Sequence, residues 1–266
     1  MRIISSRTSS RTAAGGINEA GKTMTPIASI IEHVQQIERD GYAILGNVFC
    51  EEELAQIRKQ IASAFASTSD SVRHRNGDVY AVRNVLSIYP AARSLWKKQP
   101  LLNLLERTLG KEYGLVRGLF FDKPPMQTWA LPWHKDLLIA VQQESVKSDR
   151  YSRPRLRIGV PHSEPPLEVL QSMLTLRIHL DDMTAENGPL EVLPGSHHTG
   201  KDFRVAGFRE EQLTCKSGDV LAIRPLVVHS SGRSHPETDQ HRRILHLEFS
   251  GLKELPSGIK WWEFYD

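Results

Sequence analysis

The sequence predicts an α+β protein in which N-terminal helices buttress a C-terminal jelly roll. Two observations carry this expectation. Up to Gly110 the apolar residues recur mainly at helical spacing, and beyond it they fall in short stretches separated by Gly and Pro. The length sets the scale: 266 residues, 39% hydrophobic and 24% charged, fit one large globular domain with ample core.

The elements follow in order. Ile27, Ile30, Ile31, Val34 and Ile37 lie on one helical face, and Gly41 stops that helix. YAILGNVF reads as a short strand. Glu51, Glu52 and Glu53 suit the positive end of a second helix whose buried face is Leu54, Ile57, Ile61 and Phe65. Residues 67–78 read as a polar loop, and a third helix is expected over about residues 91–109. Then come the strand-like stretches GLVRGLFFD, LLIAV, MLTLRIHL, PLEVL, DVLAIRPLVV and RILHLEF, the pattern of a sandwich or barrel. A charged, Pro-containing insertion, residues 142–168, interrupts them as either a lid or a surface loop. Residues 1–23 are Ser/Thr/Gly-rich and read as a disordered leader, with a targeting segment or a true start at Met24 as alternatives. Residues 24–266 form the expected single domain.

Charge and composition exclude several functions. The leader holds Arg2, Arg7, Arg11 and Lys22 against Glu19, which leaves 30 basic and 30 acidic side chains in the remainder. A neutral body argues against a face built for nucleic-acid phosphates. No apolar run reaches the roughly 18 residues that span a bilayer. Two cysteines, Cys50 and Cys215, make neither a disulfide framework nor a cysteine-only zinc site. They suit a reducing compartment, hence a cytoplasmic protein.

The chemistry lies with the histidines. His-x-Asp/Glu occurs five times, at His134, His162, His179, His235 and His246, where chance gives about one. His162 and His235 sit beside prolines and read as surface residues. His246 and Glu248 read as a polar strand face. Thr175, Arg177, His179 and Asp181 alternate with Leu174, Ile178 and Leu180, so this polar row lines either a barrel interior or solvent. His134 and Asp136 follow TWALPW and enter LLIAV on one face of a strand. His229, ending LAIRPLVV 95 residues later, completes a set of two imidazoles and one carboxylate, the facial triad of non-heme Fe(II) oxygenases. Arg242 and Arg243 follow 13 and 14 residues on. A buried Arg beside such a triad is what the far carboxylate of 2-oxoglutarate requires.

Four stretches, FFDKPPMQTWALPWHKDLLIAV, VPHSEPPLEVLQSMLTLRIHLDD, ENGPLEVLPGSH and RPLVVHSSGR…HRRILHLEF, together resemble the phytanoyl-CoA dioxygenase family in its bacterial-type members. They span roughly residues 114–249, and the opening DGYAILGNVFCEEELAQIR is also similar. The resemblance implies a cupin-like double-stranded β-helix and the use of Fe(II), 2-oxoglutarate and O2. By motif it assigns His134, Asp136 and His229 to iron and Arg242 to 2-oxoglutarate, with Arg243 the alternative if the strand register slips. Thr128 stands where an Asn is common, and it would seat the cosubstrate through a shorter hydroxyl. Thr175 is a further cosubstrate candidate. Lys135 replaces a frequent Gln and points away from the metal. Asp136, where halogenating relatives carry a small residue, favours hydroxylation, with desaturation or ring chemistry still open. The implied reaction hydroxylates an unactivated C–H of a small metabolite and releases succinate and CO2. Two rivals stay open: a non-catalytic jelly-roll binding protein, and a zinc hydrolase on the same ligands. Trp129, Trp133, Phe120 and Phe121 either fill the core or line the substrate pocket.

Overall fold

The structure is a computed structural model that describes residues 27–66, 71–75, 78–125, 129–145 and 148–266; the predicted leader, residues 1–23, lies outside the described residues. Helix α1 (Ile27–Asp40) buries Ile30 and Ile37, while Ile31 on its flank is exposed. Gly41 ends it at φ +87°, a left-handed conformation that lets its N–H bond Ile37 O at 3.0 Å. Strand β1 (Tyr42–Leu45) follows, then helix α2 (Glu51–Phe65). Glu51, Glu52 and Glu53 occupy the first turn of α2, and Glu53 accepts a bond from the Cys50 N–H at 2.9 Å. Both features satisfy the positive end of the helix. Leu54, Ile57, Ile61 and Phe65 are buried as the spacing predicts.

The polar stretch expected as loop instead forms a hairpin of β2 (Val72–Arg75) and β3 (Asp78–Val82). Its strands close one edge of a sheet, so one flank of β2 stays unpaired and the charged pattern is tolerated. A short helix α3 (Val85–Ile88) comes first, and the single helix expected over residues 91–109 is two: α4 (Ala92–Leu95) and α5 (Gln99–Leu109). Lys98 is extended at ψ 140°. Pro100, with no N–H to give, sits in the first turn of α5, where none is needed.

The strands continue with β4 (Gly114–Phe121), β5 (Leu131–His134), β6 (Ile139–Ala140), β7 (Arg155–Arg157) and β8 (Val160–Ser163). After the short helix α6 (Leu167–Gln171) come β9 (Met173–His179), β10 (Leu190–Val192), β11 (Glu211–Leu213), β12 (Val220–Ile223), β13 (His229–Ser231) and β14 (Ile244–Ser250). A seven-stranded sheet runs β1-β12-β9-β14-β4-β3-β2, a four-stranded sheet β11-β10-β13-β5, and a small sheet β6-β8-β7. Part of the insertion is therefore sheet: β8 pairs with β7 on one side and with β6 on the other.

The alternation left open in the sequence is resolved by what each face touches. Leu174, Leu176, Ile178 and Leu180 join one core with Ile30, Leu54 and Leu101 of the helices. Burial of each such side chain contributes roughly 1.5–3 kcal/mol relative to exposure. Thr175, Arg177 and His179 therefore turn to the other face of β9, into the space between the two larger sheets. No described helix is long and apolar enough to cross a membrane.

Candidate metal centre and cosubstrate pocket

Strands β5 and β13 pair antiparallel with His134 directly opposite His229, and the ring centroids lie 4.2 Å apart. His134 ends β5 rather than opening a strand through LLIAV, of which only Ile139 and Ala140 are in β6. Asp136 lies in the turn beyond, held by its N–H to Pro225 O at 2.9 Å. Lys135 anchors this turn from the opposite side: its ammonium donates to Ser196 O, Thr199 Oγ1 and Gly200 O at 3.2, 2.8 and 2.6 Å. Lys135 thus points away from the triad, as expected.

Each histidine places Nδ1 on a backbone carbonyl two residues earlier, His134 on Pro132 at 2.8 Å and His229 on Val227 at 2.9 Å. A carbonyl only accepts, so Nδ1 carries the proton and Nε2 keeps its lone pair. The two Nε2 atoms face the Asp136 carboxylate at 3.7 and 3.6 Å. The three ligand atoms lie within 4.8 Å of one another, the one such group among the described residues. Burial pushes the His229 imidazole down to about 4, so it is neutral at physiological pH. Burial alone would raise the Asp136 carboxyl, but His229, His246, His134 and Arg117 hold it below its ordinary value. Two imidazoles that turn Nε2 toward one carboxylate are a donor set that fits Fe(II).

The triad opens on a cavity of about 610 Å³ between the two larger sheets. Arg242 borders it at 1% exposure, its Nη1 bonded to Gly188 O at 2.6 Å and its Nε without a partner among the described residues. Burial lowers its guanidinium to about 9, with Arg177 adding repulsion. Arg243 points the other way and grips Asp181 through two bonds of 2.8 and 2.7 Å. Arg177, from the polar row of β9, also reaches the cavity, with an unpartnered buried Nε. Two buried guanidiniums with free donors fit a carboxylate beside a metal.

The remaining candidates separate. Thr175 is 4% exposed on β9 opposite Glu248, but it is not among the side chains bordering the cavity. Thr128 lies outside the described residues. His246 and Glu248 border the cavity rather than solvent; Glu248 takes His246 Nε2 at 3.3 Å and Arg117 at 3.2 Å. His179 is fully buried, and among the described residues neither of its ring nitrogens has a hydrogen-bond partner. His235 is exposed as expected, but His162 is not a surface residue: β8 is buried between β6 and β7, and His162 is 4% exposed. Trp129 and Phe121 border the cavity, whereas Phe120 packs edge-on to Phe65 in the core. Sequence reasoning left Arg177 undecided and missed Arg117 and the buried Lys123. The signal for Arg117 was its register opposite Glu248, which only the β4–β14 pairing reveals.

Comparison with known proteins agrees with this architecture. L-proline trans-4-hydroxylase of Streptomyces griseoviridis is 23% identical over 88% of this chain and 91% of its own. The ectoine dioxygenase of Nocardia farcinica is 22% identical over 85% and 74%. Among solved structures, EctD from S. alaskensis in its apoform shares the fold at a TM-score of 0.65 and 20% identity, covering 85% of this chain and 79% of that one. Residues 37–244, which carry the paired histidines, Asp136 and Arg242, match the phytanoyl-CoA dioxygenase (PhyH) family, and to that family the chain belongs.

Proposed function

We propose that this chain is an Fe(II)- and 2-oxoglutarate-dependent dioxygenase that hydroxylates an unactivated C–H bond of a small metabolite, with release of succinate and CO2. The observation that carries the reading is the two Nε2 atoms facing Asp136 at 3.7 and 3.6 Å, in one cavity with Arg242, whose Nε has no partner among the described residues. His134, His229 and Asp136 would hold the iron, beside the cavity that would receive the cosubstrate. Bound there with 2-oxoglutarate and O2, iron supplies the oxidising power for the C–H bond.

The chain's residues supply everything else. Arg242 takes the far carboxylate of 2-oxoglutarate, with Arg177 adding positive charge beside the metal. We keep Thr128 in the cosubstrate set on its motif alone. Phe121, Leu119 and Trp129 give the cavity an apolar wall that excludes water from the reacting centre. Glu248 is already held by Arg117 and His246, which keeps it off the metal. A second carboxylate there would compete with the cosubstrate for coordination sites. The names of the relatives, a proline hydroxylase and an ectoine dioxygenase, support a small-molecule substrate. The two cysteines are free, which supports a reducing, cytoplasmic setting.

The test is succinate formation from 2-oxoglutarate by the purified chain. It should require both Fe(II) and O2 and vanish in His229→Ala. Hydrolytic turnover with Zn(II) alone and no succinate would replace this reading with the zinc hydrolase. No turnover and no metal uptake would leave a binding protein.

A further inference from the structure

Three arginines border the solvent end of this cavity. Arg73 comes from β2, Arg83 follows β3, and Arg157 comes from β7. Two therefore belong to the edge hairpin of the large sheet and the third to the small sheet, so the charges converge on the opening from two separately folded elements. Among the described residues none of the three makes a side-chain hydrogen bond or an ion pair. The two acids that border the cavity are engaged elsewhere: Asp136 faces the histidines, and Glu248 is held by Arg117 and His246. Burial lowers the Arg83 guanidinium, and the charges of Arg117, Arg157 and Arg73 lower it further. A chain whose body carries equal numbers of acids and bases has gathered positive charge at this opening that no described acid pairs. Crowded like charges destabilise a fold unless a counter-charge arrives.

On the dioxygenase reading, the cosubstrate does not supply that counter-charge. Its keto-acid end goes to the metal and its far carboxylate to Arg242, both deep in the cavity. The outer arginines are left for the other reactant. We propose that the substrate is a small molecule bearing two or more negative charges, as phosphate or carboxylate groups, and that Arg73, Arg83 and Arg157 hold those groups at the cavity mouth while a C–H bond further along reaches the metal. Guanidinium forks match both groups in two-point geometry, and Arg over Lys at all three positions suits that recognition. A cavity of about 610 Å³ has room for 2-oxoglutarate and a metabolite-sized partner together.

The test is calorimetric titration of the full, Fe(II)-loaded chain with inorganic phosphate and, separately, with tricarballylate, at constant ionic strength and with 2-oxoglutarate saturating. At least one probe should bind saturably, and which one does separates a phosphate-bearing from a polycarboxylate substrate. Arg83→Gln and Arg157→Gln should each weaken that probe at least tenfold, and Arg83→Lys should recover part of the loss. Arg157 is exposed on a short strand, so its variant tests the site even if Arg83→Gln folds poorly. Binding of neither probe, or binding that ignores both glutamine variants, would overturn the proposal. So would binding lost only in Arg242→Gln, because the anion would then occupy the cosubstrate pocket. A separate titration with 2-oxoglutarate alone keeps the two readings apart: its failure counts against the dioxygenase, whereas failure of the probes with 2-oxoglutarate still binding counts against this inference alone.

Discussion

At His134 and His229 a backbone carbonyl selects the tautomer, and that choice leaves both Nε2 atoms for a metal. Removing either imidazole or the Asp136 carboxylate takes one of three ligands away. His229→Ala and Asp136→Ala should therefore bind Fe(II) at least tenfold more weakly by equilibrium dialysis, while His246→Ala keeps it. Arg242→Ala should weaken 2-oxoglutarate tenfold to a hundredfold, since a charge-assisted bond contributes roughly 1.5–3 kcal/mol and each tenfold is about 1.4 kcal/mol. Arg242→Lys should restore only part, because an ammonium lacks the planar fork. Arg243→Ala should leave cosubstrate affinity within about threefold, because Arg243 is spent on Asp181. Acid sensitivity also belongs to single residues. Burial lowers His162 to about 4 and His179 well below its ordinary value. The unfolded chain takes up their protons near pH 6.5, so stability is full above that and is lost as pH falls toward 4. His162→Gln should flatten this acid limb, by an upper bound on the order of 3 kcal/mol, in denaturant midpoints measured between pH 7 and 4.

The strands of the large sheet were readable where one face is apolar and the other polar, whereas β5, which ends in His134, was not. MLTLRIHL and RILHLEF gave β9 and β14, and DVLAIRPLVV gave β12 and the approach to His229. Which face turns inward was not readable, because alternation is the same for a barrel interior and a wetted sheet. The helices on the opposite face decide it by covering Leu174, Leu176 and Ile178. The β2–β3 hairpin was missed because its charged residues follow an edge and a cavity rim instead of an apolar period. Arg73 and Arg83 went unnoticed for the same reason. Tight turns set the register of these strands. Gly218, at φ +92°, precedes β12, and a Cβ there would meet Phe49 O at 2.3 Å. Gly218→Ala should cost about 2 kcal/mol of unfolding free energy from backbone conformation and this contact, read as a lowered denaturant midpoint with an unchanged slope.

Across the whole molecule, two sheets close around one cavity whose depth is arranged by charge. The innermost part holds two imidazoles, a carboxylate and the guanidiniums of Arg177 and Arg242, and the outer rim holds arginines without an acid partner among the described residues. The family motifs located the inner group in the sequence because His134, Asp136, His229 and Arg242 sit in ordered, recognisable stretches. The outer group has no motif and required the sheets to be assembled. The central claim is that one metal and one cosubstrate share this inner group. A crystal grown with Fe(II) and 2-oxoglutarate without oxygen, with anomalous diffraction collected at the iron edge, tests it most directly. One iron peak should appear, bonded to Nε2 of His134, Nε2 of His229 and the Asp136 carboxylate, with the far carboxylate of 2-oxoglutarate on Arg242. An iron peak on His246 and Glu248, or 2-oxoglutarate bound away from Arg242, would contradict it.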